Sequence, residues 1–256
     1  MTKILITNDD GILGVGLEPL VKEISKIAKV TVVVPDREYS ASSHSLNLNQ
    51  PVKAREITRN TYVLGGTPVD CVRFGILKLC RKNKPDIIIS GINFGSNLGQ
   101  DVIYSGTVAA AREGLMLNVS SFSISLVSLN GKNFSTAAKF ASKLTKIILN
   151  NKLVNSRRIL FNVNVPDIPL KKIRGVEITS LGKRTYTNVV VSRFDPVGLE
   201  YHWLKGPLPK SIGKNIPGTD INAIMNGKIS ITPLKIDTTD KEMLNKLKGL
   251  KFTDGI

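Results

Sequence analysis

A chain of 256 residues with 41% hydrophobic and 22% charged content is large enough for one α/β domain, or one domain with an elaboration, and its composition is that of an ordinary soluble globular protein. No apolar stretch approaches the roughly 20 residues that span a bilayer, which excludes a helical membrane protein. The net charge of +16 raises nucleic-acid binding as a function class, but the basic residues are scattered and show no basic–aromatic alternation, so they fit a lysine-rich solvated surface or a steering field for anionic substrates.

Lys3 to Thr7 predicts a short buried strand beginning almost at the initiator Met. That start lacks the charged, apolar and small-residue order of a signal peptide, and the expected location is the cytoplasm. Leu17, Leu20, Val21, Ile24 and Ile27 recur at helical spacing, and Val30–Val34 is a β-branched run ended by Pro35, as a central parallel strand would be. Val69, Val72, Ile76 and Leu79 predict a helix opened by Pro68. Cys71 and Cys80 fall in that helix on opposite faces, roughly 13 Å apart along its axis, which suits two core thiols and neither a disulfide nor a zinc pair. The basic run Arg81-Lys82-Asn83-Lys84 follows.

Asp86–Ser90 predicts another buried strand, Thr107–Leu117 an Ala-rich helix, Phe122–Leu126 a strand, Thr136–Leu149 a helix and Ile159–Val165 a strand ended by Pro166. This alternation argues for a parallel sheet covered on both faces over residues 1–166. Over residues 167–256 short β-like runs such as Asn188–Ser192 and Lys228–Thr232 alternate with Gly and Pro, with no long helix until Thr239–Leu250. That segment is expected to form hairpins or arms outside the main sheet and to serve subunit contact. His202, in Tyr201-His202-Trp203, is expected to pack or touch a subunit there.

Three loops follow strands of the parallel sheet and meet at one edge, where ligands bind in such folds. The first holds Asp9-Asp10-Gly11, in which the Gly permits the turn that two adjacent carboxylates need to reach one cation. The second runs from Pro35 to Leu46 and includes Ser40 and His44; the third runs from Gly91 to Asp101 and includes Asn93 and Asn97. Carboxylate, hydroxyl and amide oxygens together suit a hard cation such as Mg²⁺, Mn²⁺ or Ca²⁺. Ser105-Gly106-Thr107 opens the Ala-rich helix, where unpaired N–H groups form a phosphate seat or Ser105 is an ordinary cap. A cation site beside an anion seat points to a phosphate ester, provided the loops meet.

The sequence resembles the SurE family of survival-protein phosphatases, which are 5′/3′-nucleotidases. Thr7-Asn8-Asp9-Asp10-Gly11, Pro35-Asp36-Arg37, Ser42-Ser43-His44-Ser45, Gly66-Thr67-Pro68 and Ser90-Gly91-Ile92-Asn93 carry the match. So do Tyr104 to Gly114, Asn162 to Pro166, Gly218-Thr219-Asp220 and Ile229 to Leu234. The resemblance implies a Rossmann-like three-layer core and a β-rich C-terminal arm that assembles a homodimer or homotetramer. It also implies one divalent cation per subunit, Mg²⁺ or Mn²⁺, held by Asp9, Asp10, Ser40 and Asn93 for the hydrolysis of nucleoside monophosphates. Some relatives carry a His after the Thr-Pro-Leu segment; here Lys235-Ile236-Asp237 follows Leu234, so no role of such a His transfers.

The phosphate is expected on Asn97, Ser105, Gly106 and Thr107, with Asp9 and Asp10 acting through the metal. With ordinary carboxylates, activity is expected to fall below about pH 4–5. The group that protonates the leaving alkoxide is not readable from the residues: His44, the histidine near the loops, is expected either to do so or to hold structure by hydrogen bonding. A dinucleotide-binding oxidoreductase lacks its Gly-x-Gly-x-x-Gly after the first strand. A basic nucleic-acid-binding protein without catalysis leaves Asp9 and Asp10 unused, and stable nucleic-acid binding is not expected.

Overall fold

The structure is a computed structural model that describes residues 1–128, 130–151, 158–184, 190–204 and 215–250. Strands β1 (Lys3–Thr7), β2 (Lys29–Pro35), β3 (Ala54–Thr58), β4 (Thr61–Leu64), β5 (Ile87–Phe94), β6 (Ser120–Val127), β7 (Leu160–Pro166), β8 (Val176–Ile178) and β11 (Ile229–Pro233) form one sheet in the order β3-β4-β2-β1-β5-β6-β7-β11-β8. From β4 to β7 all neighbours are parallel; β3 and β11 run antiparallel to β4 and β7. Strands β9 (Val191–Phe194) and β10 (Glu200–Trp203) pair only with each other among the described residues.

The two-residue period of the strands sorts the core into two layers. Ile4, Ile6, Val32, Val34, Ile87 and Ile89 face one cluster, with α1 (Leu17–Ile24) and α5 (Phe134–Asn150) laid over it. Leu5, Val33 and Ile88, the residues between them, face the other, beneath α2 (Pro68–Phe74) and α4 (Gly106–Met116). Strands buried on both faces explain the unbroken Ile and Val runs. Each such side chain contributes roughly 1.5–3 kcal/mol of transfer free energy.

Thr67 starts α2 with a capping box. Its hydroxyl accepts from the Asp70 N–H at 3.2 Å, while the Asp70 carboxylate accepts from the Thr67 N–H at 2.9 Å, with Pro68 at the first helical position. A π-helical turn, Gly75–Leu79, then ends the helix, so Cys80 sits beyond the regular α-helix that was expected to hold both thiols. Both cysteines are free, Cys71 buried and Cys80 partly so.

Beyond Pro166 the chain does not stay outside the sheet. β8 and β11 extend it past β7, because Ile229 and Ile231 supply a buried face. Helix α6 (Asp220–Met225), capped by Thr219, buries Ile221 and Ile224 against Leu98. Among the described strands only β9 and β10 stand apart, and Asn188, expected to open that strand, lies outside the described residues. Helix α7 (Lys241–Leu247) falls within the predicted C-terminal helix, but none of its residues is buried. Among the described residues no helix is long and apolar enough to cross a membrane.

Candidate active site

Strand β1 lies between β2 and β5, and the chain proceeds outward to β2 and β4 on one side and to β5, β6 and β7 on the other. The order therefore reverses beside β1, and the crevice beyond the carboxyl ends of β1 and β5 is where such sheets bind ligands. Thr7 pairs with Ser90 in register, so Asp10 and Asn93 each stand three residues beyond the same rung.

The Asn8 side chain makes the turn that carries the acids off the strand. Its oxygen accepts from the Gly11 N–H at 3.1 Å and its nitrogen donates to the Gly11 carbonyl at 2.8 Å. Gly11 has φ +80°, and a Cβ there would stand 3.1 Å from the Pro35 carbonyl oxygen. Glycine is therefore required both by conformation and by space.

The three loops meet. The Tyr39 N–H donates to the Asp9 carbonyl at 2.8 Å, the Ser43 N–H to the Tyr104 carbonyl at 2.9 Å, and the Phe94 backbone N–H lies near enough to Asp10 to act on its carboxyl. Asp9 is buried, and its carboxylate accepts from both the N–H and the hydroxyl of Thr107 at the start of α4. Gly106 lets this contact form: a Cβ there would lie 2.8 Å from the Ser42 hydroxyl and 3.0 Å from the Asp9 Cβ.

One Asp10 carboxylate oxygen is buried without a hydrogen-bond partner. Burial, then the neighbouring Asp9 charge, push the Asp10 carboxyl up to about 7, against the Phe94 N–H. Burial likewise raises Asp9, against its bonds from Thr107. Both carboxyls therefore depart upward from the ordinary range on which the limit expected near pH 4–5 was based.

Ser40 is exposed and donates its hydroxyl to Glu38 at 2.5 Å. Asn93 is partly buried and belongs to β5 rather than to a loop, because the strand continues past Ser90 through a bulge. Its amide nitrogen donates to the Gly95 carbonyl at 3.0 Å, leaving its amide oxygen as the end able to ligate. Asn97 is buried toward β6 and β7, with its amide nitrogen on the Ser125 hydroxyl at 2.8 Å and its backbone N–H on the Asn164 side chain at 2.9 Å.

Ser105 caps α4, accepting from the Val108 N–H at 3.1 Å. With Thr107 bonded to Asp9 as well, much of the first-turn N–H capacity of α4 is already used inside the chain. His44 lies at the rim, its Nε2 2.9 Å from the buried Glu113 carboxylate, which also accepts from Arg73 at 2.7 Å. That contact fits a structural hydrogen-bonding role for this histidine.

The sequence reading missed Glu38, whose charge acts on both aspartates, and the Glu113–Arg73 pair. An acid two residues before Ser40 and a lone Glu in an Ala-rich helix were the available signals.

The family model described as "Survival protein SurE" matches residues 4–188, well over half of the chain. The chain belongs to the SurE family. Proteins named "5′-nucleotidase SurE" are 44% identical in Geotalea uraniireducens, over 98% of this chain and 100% of that one, and 44% identical in Vibrio parahaemolyticus, over 96% and 93%. The crystal structure of the SurE protein from Aquifex aeolicus superposes with a TM-score of 0.85 at 35% identity, covering 96% of this chain and 98% of that one. The SurE α/β fold is thus shared from end to end.

The donors of this SurE chain suit a hard cation. Asp9 and Asp10 offer carboxylate oxygens, one of them buried and unpartnered, with the hydroxyl of Ser40 and the amide of Asn93 as neutral oxygens. No group of three or more His, Cys, Asp or Glu forms a metal cluster among the described residues, and this set would depend on the two neutral ligands.

Proposed function

We propose that this SurE chain is a divalent-metal-dependent phosphomonoesterase that hydrolyses nucleoside 5′-monophosphates, and 3′-monophosphates as a second candidate class, to nucleoside and phosphate. The observation that carries the proposal is the unpartnered, buried carboxylate oxygen of Asp10 beside Asp9 at the reversal of strand order. Relatives named 5′-nucleotidases support the substrate class.

Asp9, Asp10, Ser40 and Asn93 would hold one Mg²⁺ or Mn²⁺ per subunit. A cation so held neutralises charge on a phosphoryl oxygen and lowers the pKa of a bound water. Thr107 orients Asp9, the Asn8–Gly11 turn orients Asp10, and the two aspartates are the catalytic groups through that ion. Asn97, Ser105, Gly106 and Thr107 are the residues assigned to the phosphate, although Asn97 and Thr107 already bond within the chain. Two free cysteines support a reducing, cytoplasmic setting.

The exposed hairpin β9–β10 supports a homodimer or homotetramer. Nothing favours the alternative of a non-catalytic nucleic-acid binder, which gives the aspartates no role. The test is phosphate release from a panel of 5′- and 3′-monophosphates with Mg²⁺ or Mn²⁺. Release is expected to stop on exhaustive EDTA treatment and to fall at least about a thousandfold in Asp10→Ala. Undiminished turnover after chelation would remove the metal from the mechanism, and full activity in Asp10→Ala would remove the site.

A further inference from the structure

At the opposite end of the sheet a cavity of about 490 Å³ opens below the amino ends of β1 and β2. The five residues of β1 put it roughly 17 Å from the aspartates. Lys3, Lys29, Lys78, Arg81 and Lys82 line it, and no carboxylate does. Among the described residues none of these five is in an ion pair. Thr31 and Asn60 add neutral hydrogen-bonding groups to the wall. Cys80 stands inside: burial raises its thiol, while the hydroxyl of Thr31 and the charges of Lys3 and Lys29 act against that.

Cations at this edge are expected to some degree, because helices of an α/β sheet end here and their carbonyls favour positive charge. One or two would serve the π-helical turn Gly75–Leu79. Five around one concavity, Lys3 from β1, Lys29 from β2, Lys78 from that turn and Arg81 and Lys82 from the segment after it, exceed what one helix end needs. They repel one another unless a counter-charge is present, and their fields add across the concavity even though Lys29, Lys78, Arg81 and Lys82 are exposed to solvent. The volume lies in the range that encloses a small ligand. The basic run Arg81-Lys82-Asn83-Lys84 thus has three of its members, two of them basic, in the wall of the cavity.

We propose that this cavity is a second anion site that takes an oligophosphate chain, either free or as the phosphate part of a nucleotide, away from the catalytic carboxylates. Several adjacent charges, rather than a single phosphate, match five unpaired cations.

The experiment is calorimetric titration of the full-length protein with tripolyphosphate, ATP and inorganic phosphate in EDTA, using both the wild type and Asp10→Asn. Tripolyphosphate and ATP are expected to bind one site per chain in both proteins. Inorganic phosphate is expected to bind at least about tenfold more weakly, and raising the salt should weaken all three. ATP binding no tighter than tripolyphosphate identifies the chain alone as the recognised group; tighter ATP binding identifies a nucleotide. Lys78→Ala with Lys82→Ala is expected to weaken both at least about tenfold, whereas Lys171→Ala with Lys172→Ala leaves them unchanged.

Bound tripolyphosphate should also slow alkylation of Cys80 by neutral iodoacetamide. Equal binding in the two lysine pairs, or no protection of Cys80 at saturating tripolyphosphate, overturns the assignment.

Discussion

A carboxylate taken out of water beside a second carboxylate holds its proton more tightly than in solution. Asp10 is in that position, with its carboxyl pushed up from 3.8 to about 7. A cation must displace that proton, so metal affinity is expected to fall about tenfold per pH unit below 7, measurable by Mn²⁺ titration between pH 5.5 and 8. The same shift acts on stability. Between pH 3.8 and about 7 the folded chain binds more protons than the unfolded chain, so the metal-free protein loses stability as pH rises through that window. Asp10→Asn removes the buried charge. In EDTA at pH 8 the variant is therefore expected to be more stable, by on the order of 1–3 kcal/mol in urea unfolding, and saturating Mn²⁺ should reverse the ranking. Equal unfolding midpoints at pH 8 would mean that Asp10 is not held in the environment described.

At the scale of elements, α4 is the part to which the loops are tied. Its first turn holds Asp9 through Thr107, and Glu113, farther along the same helix, holds the loop after β2 through His44 and α2 through Arg73. Burial alone would raise the Glu113 carboxyl, but the bonds from His44 and Arg73 outweigh it and the net shift is downward from 4.5. Its stabilising contribution is therefore present above the ordinary carboxylate range and is lost as pH falls through the lowered value. Glu113→Gln is expected to cost about 1–3 kcal/mol at pH 7, with the gap to wild type closing as the pH falls through the lowered value. A fall in kcat/KM that Glu113→Asp partly restores would mark it as a positioning residue.

The sequence made α4, β1, β2, β5, β6 and β7 legible because each has an unmixed period or an unbroken apolar run. The β3–β4 hairpin was not legible: every residue of β3 is exposed, and its Arg59-Asn60 turn, with Asn60 at φ +63°, is a faint mark. Asp9-Asp10 could be read as a site because a strand end gives adjacent acids a purpose. The pairing of His44 with Glu113, 69 positions apart, has no local signature.

At the scale of the whole molecule, the excess of positive charge and the β9–β10 hairpin are features that the packed sheet does not account for. A two-stranded ribbon is marginal in water by itself. This one exposes Tyr201 at 42% and Trp203 at 59% on one face and Phe194 at 69% on the other, where His202 is tied across the pair to the Ser192 hydroxyl at 2.8 Å. Exposed aromatics on a ribbon that the sheet does not support are best stabilised by the same surface on another copy, since a closed two-fold contact buries both at once. Trp203 is the only tryptophan in the chain, so its emission reports on this surface alone. In an oligomer the emission is expected to shift to the blue relative to solvated indole, and dilution through the dissociation range should move it red as the sedimenting mass falls. Phe194→Glu with Tyr201→Glu should give the monomer mass and red emission at every concentration, while α/β far-ultraviolet dichroism persists. Concentration-independent emission together with a monomer mass in the wild type would show that the hairpin does not join subunits.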